Sequence, residues 1–509
     1  MHAIPPGSTI AVIGSGAMGA GIAQVAATAG HQVLLFDTRT DAADQAIAGI
    51  GKTYAKLVEK GRMGAVESDL ARERLKRIST LQEAAGAILV IEAIVENLDA
   101  KRALFAELEG IVGQRCILAT NTSSISVTAI GAQLQHPERL VGMHFFNPVP
   151  LMALVEVVEG LATDREVANV VHATAESWGK NPVLAKSTPG FIVNRVARPY
   201  YAEALRLLLE QAADVATLDA VMRDCGGFRM GPFELMDLIG HDVNFSVTNS
   251  VFAAYYNDPR FTPSILQQEL VSAGFLGRKT GRGFYRYGDD VAKPVPQFEA
   301  ASTKPSALRY AGGLSMVDAL AERLRGVGFD PVAIEASPGL YCDGAAIYLT
   351  DGRSATERAE VDGHRDTILF DLLLDPAGAN RIALARADQC SDAAWQAAVG
   401  LFQAAGFAVT RLDDVPGMAV MRTVAMLANE AADAVNQGVC SARAVDIAMQ
   451  KGVNYPRGPL AWADSIGLRQ VVTVLANLAA TYGEDRYRVS PLLRRKLAAD
   501  PQGARFHAA

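Results

Sequence analysis

The sequence predicts an α/β protein: a mostly parallel sheet covered on both faces, followed by an all-α domain, then a degenerate α/β unit and a duplicated all-α domain. Three observations carry this reading. Near-continuous apolar runs alternate with helical stretches over the first part of the chain. From Thr188 to about Tyr285 the pattern becomes helical. Two blocks of that helical part then return later at one fixed offset. A chain of 509 residues is also too long for a single core, at roughly 100 to 200 residues per domain.

Thr9–Ile13 and Gln32–Phe36 read as the first two strands, with a helix from Ala17 to Ala29 between them. Asp41–Lys60 reads as a helix, and further strands are expected within Ile88–Val95, Cys116–Ala119, Leu140–Phe145 and Leu154–Val158. Gly288–Ser306 holds three prolines among charged and small residues and reads as a linker. The expected domains are 1–187, 188–290, 307–414 and 415–509, with 291–306 between the second and third. The repeat is explicit: Pro189-Gly190 and Gly231-Pro232 return as Pro416-Gly417 and Gly458-Pro459, and 416 − 189 and 458 − 231 are both 227. Glu203/Glu430 and Asp219/Asp446 share that register, so the helical domain is duplicated. The region 307–414 has strand-like runs but no G-x-G-x-x-G, so it reads as a shrunken α/β unit without a nucleotide site.

Composition excludes several classes. A net charge of −7 gives no reason to expect a nucleic-acid partner. No apolar stretch reaches the ~20 residues that span a bilayer, and the N-terminus lacks a signal-peptide pattern. Five widely spaced cysteines argue against a disulfide framework or a metal site. The expectation is a soluble, cytoplasmic protein without a metal.

The first strand runs into Gly14-Ser15-Gly16-Ala17-Met18-Gly19, a G-x-G-x-x-G in its strand–turn–helix context. Such a turn brings backbone N–H groups and a helix N-terminus to a pyrophosphate, as in Rossmann-type domains. Asp37 ends the second strand, 37 − 19 = 18 residues past the last glycine, where a carboxylate accepts from the ribose diol and selects NAD over NADP. Arg39 nearby softens that preference. FAD uses the same fingerprint, but a flavin leaves the next feature unexplained.

Asn121-Thr122-Ser123-Ser124 and His144-Phe145-Phe146-Asn147-Pro148 each follow a strand end, where open α/β sheets bind ligands. A lone histidine there is more often structural than catalytic. Glu156 on the next strand changes the balance, since a carboxylate behind an imidazole fixes its tautomer and stabilises its cation. His144 is therefore the expected general base.

With Glu92-Ala93-Ile94-Val95-Glu96, Pro189-Gly190-Phe191-Ile192-Val193-Asn194, Gly231-Pro232-Phe233-Glu234 and Lys279-Thr280-Gly281, these motifs resemble the L-3-hydroxyacyl-CoA dehydrogenase family over the first 290 residues or so. The resemblance implies that His144 is the base, Glu156 its partner, and Ser123 and Asn194 the groups holding substrate oxygens. It also implies NAD contacts at Glu96, Lys101, Asn147 and Lys279, and coenzyme A contacts at Thr53 and Lys60. Lys52, Lys56 and Lys60 fall on one helical face, which is equally an ordinary solvated surface.

The second copy lacks this chemistry, because the position of Asn194 is taken by Met421 and no second fingerprint exists. It is expected to be structural, docking on the first copy as an internal pseudo-dimer, with a homodimer of whole chains also open. The long single-chain form resembles the branch of the family acting on 3-hydroxyadipyl-CoA in bacterial phenylacetate degradation. A distal carboxylate would need a cation, with Arg195, Arg198 and Arg229 as candidates. A 3-hydroxybutyryl-CoA enzyme, a sugar-acid (gulonate-type) dehydrogenase and a non-enzymatic NAD-binding scaffold are the alternatives.

Overall fold

Strands that are apolar on both faces have to lie between layers of helix. The first sheet has eight of them, ordered β3-β2-β1-β4-β5-β6-β7-β8. They are β1 Thr9–Ile13, β2 Gln32–Phe36, β3 Leu75–Arg77, β4 Leu89–Glu92, β5 Ile117–Thr120, β6 Leu140–Phe145, β7 Leu154–Glu159 and β8 Asn181–Lys186. All neighbours pair in parallel except β6 with β7. The strand order reverses at β1, which opens a crevice outside the carboxyl ends of β1 and β4. Along β4, β5 and β6 every residue is buried. Helix Ala17–Thr28 contributes Ile22, Ala23 and Ala26 to one core with Ile10, Val12 and Val33.

In this computed structural model, which describes residues 2–507, the chain divides into two units. One takes the chain up to Arg195 together with Ala434–Asn454, and the other takes Val196–Asp433 and the chain from Tyr455 on. Helix Ala442–Gly452 thus belongs with the first sheet, packing on β7 and β8 so closely that a Cβ on Gly452 would lie 2.6 Å from Leu154 Cδ2. The stretch expected to form one domain from 415 to 509 is divided between the units. Helical periodicity shows that a helix forms, not which surface it covers.

The second unit holds the helices Arg198–Leu209, Val215–Asp224, Pro232–Ile239, His241–Ala254 and Ile265–Ser272. It also holds a seven-stranded sheet, ordered β10-β9-β11-β12-β13-β14-β15. These strands are β9 Arg309–Ala311, β10 Val332–Ala333, β11 Gly339–Cys342, β12 Ala345–Leu349, β13 Thr367–Phe370, β14 Arg381–Arg386 and β15 Ala408–Arg411. Here β11 runs antiparallel to both its neighbours, so the sheet is mixed. Two helical copies meet in this unit through a buried ion pair, Arg422 Nε donating to Glu203 Oε2 at 2.7 Å, with the Tyr487 hydroxyl donating to the same oxygen at 2.8 Å.

The offset of 227 extends into this second sheet. Since 144 + 227 = 371 and 156 + 227 = 383, Asp371 and Ala383 stand where the first sheet carries His144 and Glu156. The strand pairing agrees: β6 with β7 and β13 with β14 are both antiparallel, and β7 with β8 and β14 with β15 are both parallel. Asp371 is fully buried and accepts backbone N–H groups of Ala419, Val420 and Met421 at 2.9, 2.7 and 2.9 Å. Burial pushes its carboxyl up to about 6 against the pull of those amides. The glutamate position is now an alanine, and an aspartate in the histidine's place ties a strand end to the start of the next helix.

Replacing Asp371 by Ala takes the acceptor from four buried N–H groups, those of Leu372, Ala419, Val420 and Met421. Urea denaturation of D371A is expected to show a loss of roughly 2–4 kcal/mol, and a loss under ~0.5 kcal/mol would refute the tie.

Candidate active site

His144 stands on β6 directly opposite Glu156 on β7, an antiparallel pairing that turns both side chains to the same face of the sheet. The imidazole Nδ1 lies 2.6 Å from Glu156 Oε2, with the histidine 6 % exposed and the glutamate fully buried. The other oxygen of Glu156 accepts the backbone N–H groups of Ile192 and Val193 at 3.0 and 2.9 Å. Both lone-pair directions of the carboxylate are thereby occupied, so Nδ1 carries the proton and Nε2 is left as the basic nitrogen. The rings of Phe146 and Phe191, 4.5 and 5.8 Å away by centroid, flank the imidazole. Asn194 follows those two amides in the chain, and its Nδ2 approaches the Ser123 carbonyl at 3.4 Å.

The Asn121–Ser124 loop is held from below by one carboxylate. Glu96 Oε1 accepts from the Thr122 hydroxyl at 2.7 Å, the Ser123 N–H at 2.9 Å and the Ser124 N–H at 3.2 Å. The Ser123 hydroxyl lies 3.3 Å from the same oxygen. Burial raises the Glu96 carboxyl, but the Lys101 ammonium and the hydrogen bonds from Thr122 and Ser123 together outweigh it and hold the group low. That ammonium is itself 1 % exposed, at 2.6 Å from Glu92 and 3.2 Å from Glu96. Lys101, expected as a cofactor contact, thus pairs with two carboxylates and supports the loop through Glu96. Asn121 Oδ1 accepts the Phe145 N–H at 2.9 Å, tying this loop to the strand of His144.

The turn Gly14–Gly19 fits a dinucleotide. Gly14 has φ +102°, and a Cβ there would lie 2.5 Å from the Ala93 carbonyl oxygen. A Cβ on Gly19 would fall 1.8 Å from the Gly14 oxygen, while one on Gly16 would meet nothing within 4 Å. Two glycines are thus required by the fold, and the third faces open space where a phosphate has backbone access. Asp37 accepts the Ser15 N–H and hydroxyl at 2.9 and 2.7 Å. Burial pushes its carboxyl up, but Arg39 and Ser15 together hold it well below the usual range, so it stays an acceptor for a ribose diol. A cavity of about 550 Å³ opens beside this turn, walled by Ser15, Gly16, Ala17, Thr53 and Asn147. Lys60 is exposed at the end of helix Ala42–Glu59 and is not among the cavity's lining residues. Lys279 lies in the second unit, its ammonium 2.6 Å from both oxygens of Asp242.

Three contributors stand inside the quoted motifs without a part assigned to them there: the backbone of Ile192 and Val193, the Glu92 anchor under Lys101, and the two phenylalanines beside the imidazole. The carboxylates Glu92, Glu96 and Glu156 are plain as residues, but nothing nearby in the chain says which donors each one meets.

A glycine cradle for a dinucleotide beside a strand-end histidine–glutamate pair is the apparatus of an NAD-dependent dehydrogenase. Comparison with known proteins narrows this. The model for the 3-hydroxyacyl-CoA dehydrogenase NAD-binding domain matches residues 9–188, that for the C-terminal domain matches 190–287 and 417–506, and that for a 3-hydroxybutyryl-CoA dehydrogenase reduced Rossmann-fold domain matches 347–416. The chain belongs to the 3-hydroxyacyl-CoA dehydrogenase family, and it is an NAD-dependent oxidoreductase. It is 44 % identical over 490 residues to the 3-hydroxyadipyl-CoA dehydrogenase of Escherichia coli K12, covering 96 % of this chain and 97 % of that one. A probable 3-hydroxybutyryl-CoA dehydrogenase of Bacillus subtilis is 43 % identical, covering 56 % of this chain and 98 % of its own. A crystal structure titled 3-hydroxybutyryl-CoA dehydrogenase, from Escherichia coli K12, superposes with a TM-score of 0.89 at 42 % identity, covering 98 % of this chain and 99 % of that one. Among the described residues, no helix is long and apolar enough to cross a membrane.

Glu156→Gln keeps the shape but presents an N–H where Nδ1 needs an acceptor. We expect kcat to fall about 10²- to 10⁴-fold with little change in the KM for NAD. A variant retaining half the wild-type kcat would remove Glu156 from the reaction.

Proposed function

We propose that this chain oxidises the 3-hydroxyl of 3-hydroxyadipyl-CoA to the 3-keto thioester in the cytoplasm, with His144 as general base. The observation that carries the base is the 2.6 Å contact between Nδ1 and Glu156, which leaves Nε2 free to accept the alcohol proton. Glu156 then stabilises the imidazolium, and Ser123 and Asn194 hold the reacting oxygens. NAD, when bound on Gly14–Gly19 and Asp37, supplies the hydride acceptor. Glu96 keeps Ser123 in place, and Asn147 and Thr53 line the cofactor cavity, with Thr53 and Lys60 as the coenzyme A contacts.

The dicarboxylyl substrate rests on the full-length likeness to a protein bearing that name. A 3-hydroxybutyryl-CoA activity is the second reading, favoured by the name of the superposed crystal structure. The pair Arg422–Glu203, one residue from each helical copy, supports an internal pseudo-dimer.

Initial rates of NADH formation decide between the two. The expected kcat/KM order is 3-hydroxyadipyl-CoA, then 3-hydroxyhexanoyl-CoA of equal chain length, then 3-hydroxybutyryl-CoA. His144→Ala should lower all three by about 10²-fold or more. Preference for the four-carbon substrate would overturn the dicarboxylyl reading, and an unimpaired H144A would overturn the base.

A further inference from the structure

The second unit contains a pocket of about 200 Å³ whose lining includes four arginines, Arg198, Arg206, Arg260 and Arg486, and no acidic side chain. Three of the four have carboxylates behind them. Arg260 donates to Glu430 at 3.0 Å and to Asp433, Arg206 to Glu484 at 2.8 Å, and Arg486 lies 3.9 Å from Glu203 and Glu484. Arg198 differs. Its Nη1 donates to the Thr248 hydroxyl at 3.0 Å and its guanidinium rests 4.9 Å from the Tyr201 ring centre. Among the described residues no carboxylate pairs with it, and its Nε is buried without a hydrogen-bond partner.

Arg198 is 6 % exposed. A guanidinium stays charged at any ordinary pH, and taking one out of water without a counter-charge costs several kcal/mol. Neither a hydroxyl nor a ring face supplies a full negative charge. The Nε atoms of Arg260 and Arg486 are also buried and unsatisfied, which places three orphan donors on arginines that line one pocket. Buried donors of this kind are rare, and of the three arginines it is Arg198, with no carboxylate beside it, that asks for an oxyanion. Leu205, Leu209, Phe261 and Ile265 make part of the wall apolar, and Thr262, Ser264 and Gln267 add neutral polar groups. At the roughly 30 Å³ that a water occupies in the liquid, the space holds about six or seven heavy-atom groups.

We propose that this pocket binds a short aliphatic carboxylate, its head group on Arg198 beside Thr248 and its chain against Leu205 and Ile265. The proposal is independent of the reading of His144, since every residue in it belongs to the second unit. A carboxylate suits the planar fork of one arginine, and the apolar part of the wall, Leu205 with Ile265, suits an aliphatic chain that phosphate lacks.

Calorimetric titration of the full-length chain tests it. Hexanoate is expected to bind saturably at one site per chain, while 1-hexanol, of similar shape without the charge, and inorganic phosphate give no saturable heat. Arg198→Met should weaken hexanoate by about tenfold or more. Ala202→Trp, which fills the pocket and removes no charge, should abolish binding and serves if R198M fails to fold. Absence of saturable heat from the wild-type chain, unaltered hexanoate affinity in R198M or in a folded A202W, or phosphate binding as tightly as hexanoate would each overturn the proposal.

Discussion

Glu156 uses its two oxygens in two directions, and the active centre depends on that division. One oxygen holds the proton-bearing nitrogen of His144, and the other gathers the N–H groups of Ile192 and Val193. With one oxygen facing Nδ1 and the other taken by two backbone N–H groups, the imidazole has one tautomer and one orientation. The same bonds fix where the chain emerges ahead of Asn194. The orientation of His144 and the position of Asn194 are therefore set by a single side chain.

The second sheet shows what that division is worth structurally. In the same register, Asp371 replaces the histidine and Ala383 replaces the glutamate, yet Asp371 reaches the amides of Ala419, Val420 and Met421. The link between strand end and helix start has outlived the chemistry. A strand–helix junction with its first N–H groups buried needs an acceptor whether or not a reaction happens nearby. The position of Asn194 is taken by Met421, a fully buried side chain, so this copy presents no polar group toward a substrate.

A second carboxylate, Glu96, organises the other half of the site. It gathers the Thr122, Ser123 and Ser124 donors while Lys101 balances its charge from beneath. Lys101 in turn needs Glu92, because a buried ammonium with one half-exposed partner would be poorly compensated. Ser123 is thus positioned by a chain of charges that starts under the strand end of β4.

Much of this is readable in the residues alone, and for local reasons. The class of fold follows from apolar periodicity, the cofactor turn from glycine spacing ahead of a helix, and the duplication from the single offset of 227. That offset also reaches His144 and Glu156, so the changes to Asp371 and Ala383 are legible in the residues themselves. What only tertiary structure decided is the pairing of donors with acceptors. The register that sets His144 against Glu156, the backbone amides that share that carboxylate, the burial of Lys101 and the uncompensated charge of Arg198 all depend on residues far apart in the chain. Spacing along a sequence encodes local geometry, whereas dielectric surroundings and hydrogen-bond partners exist only once distant segments meet.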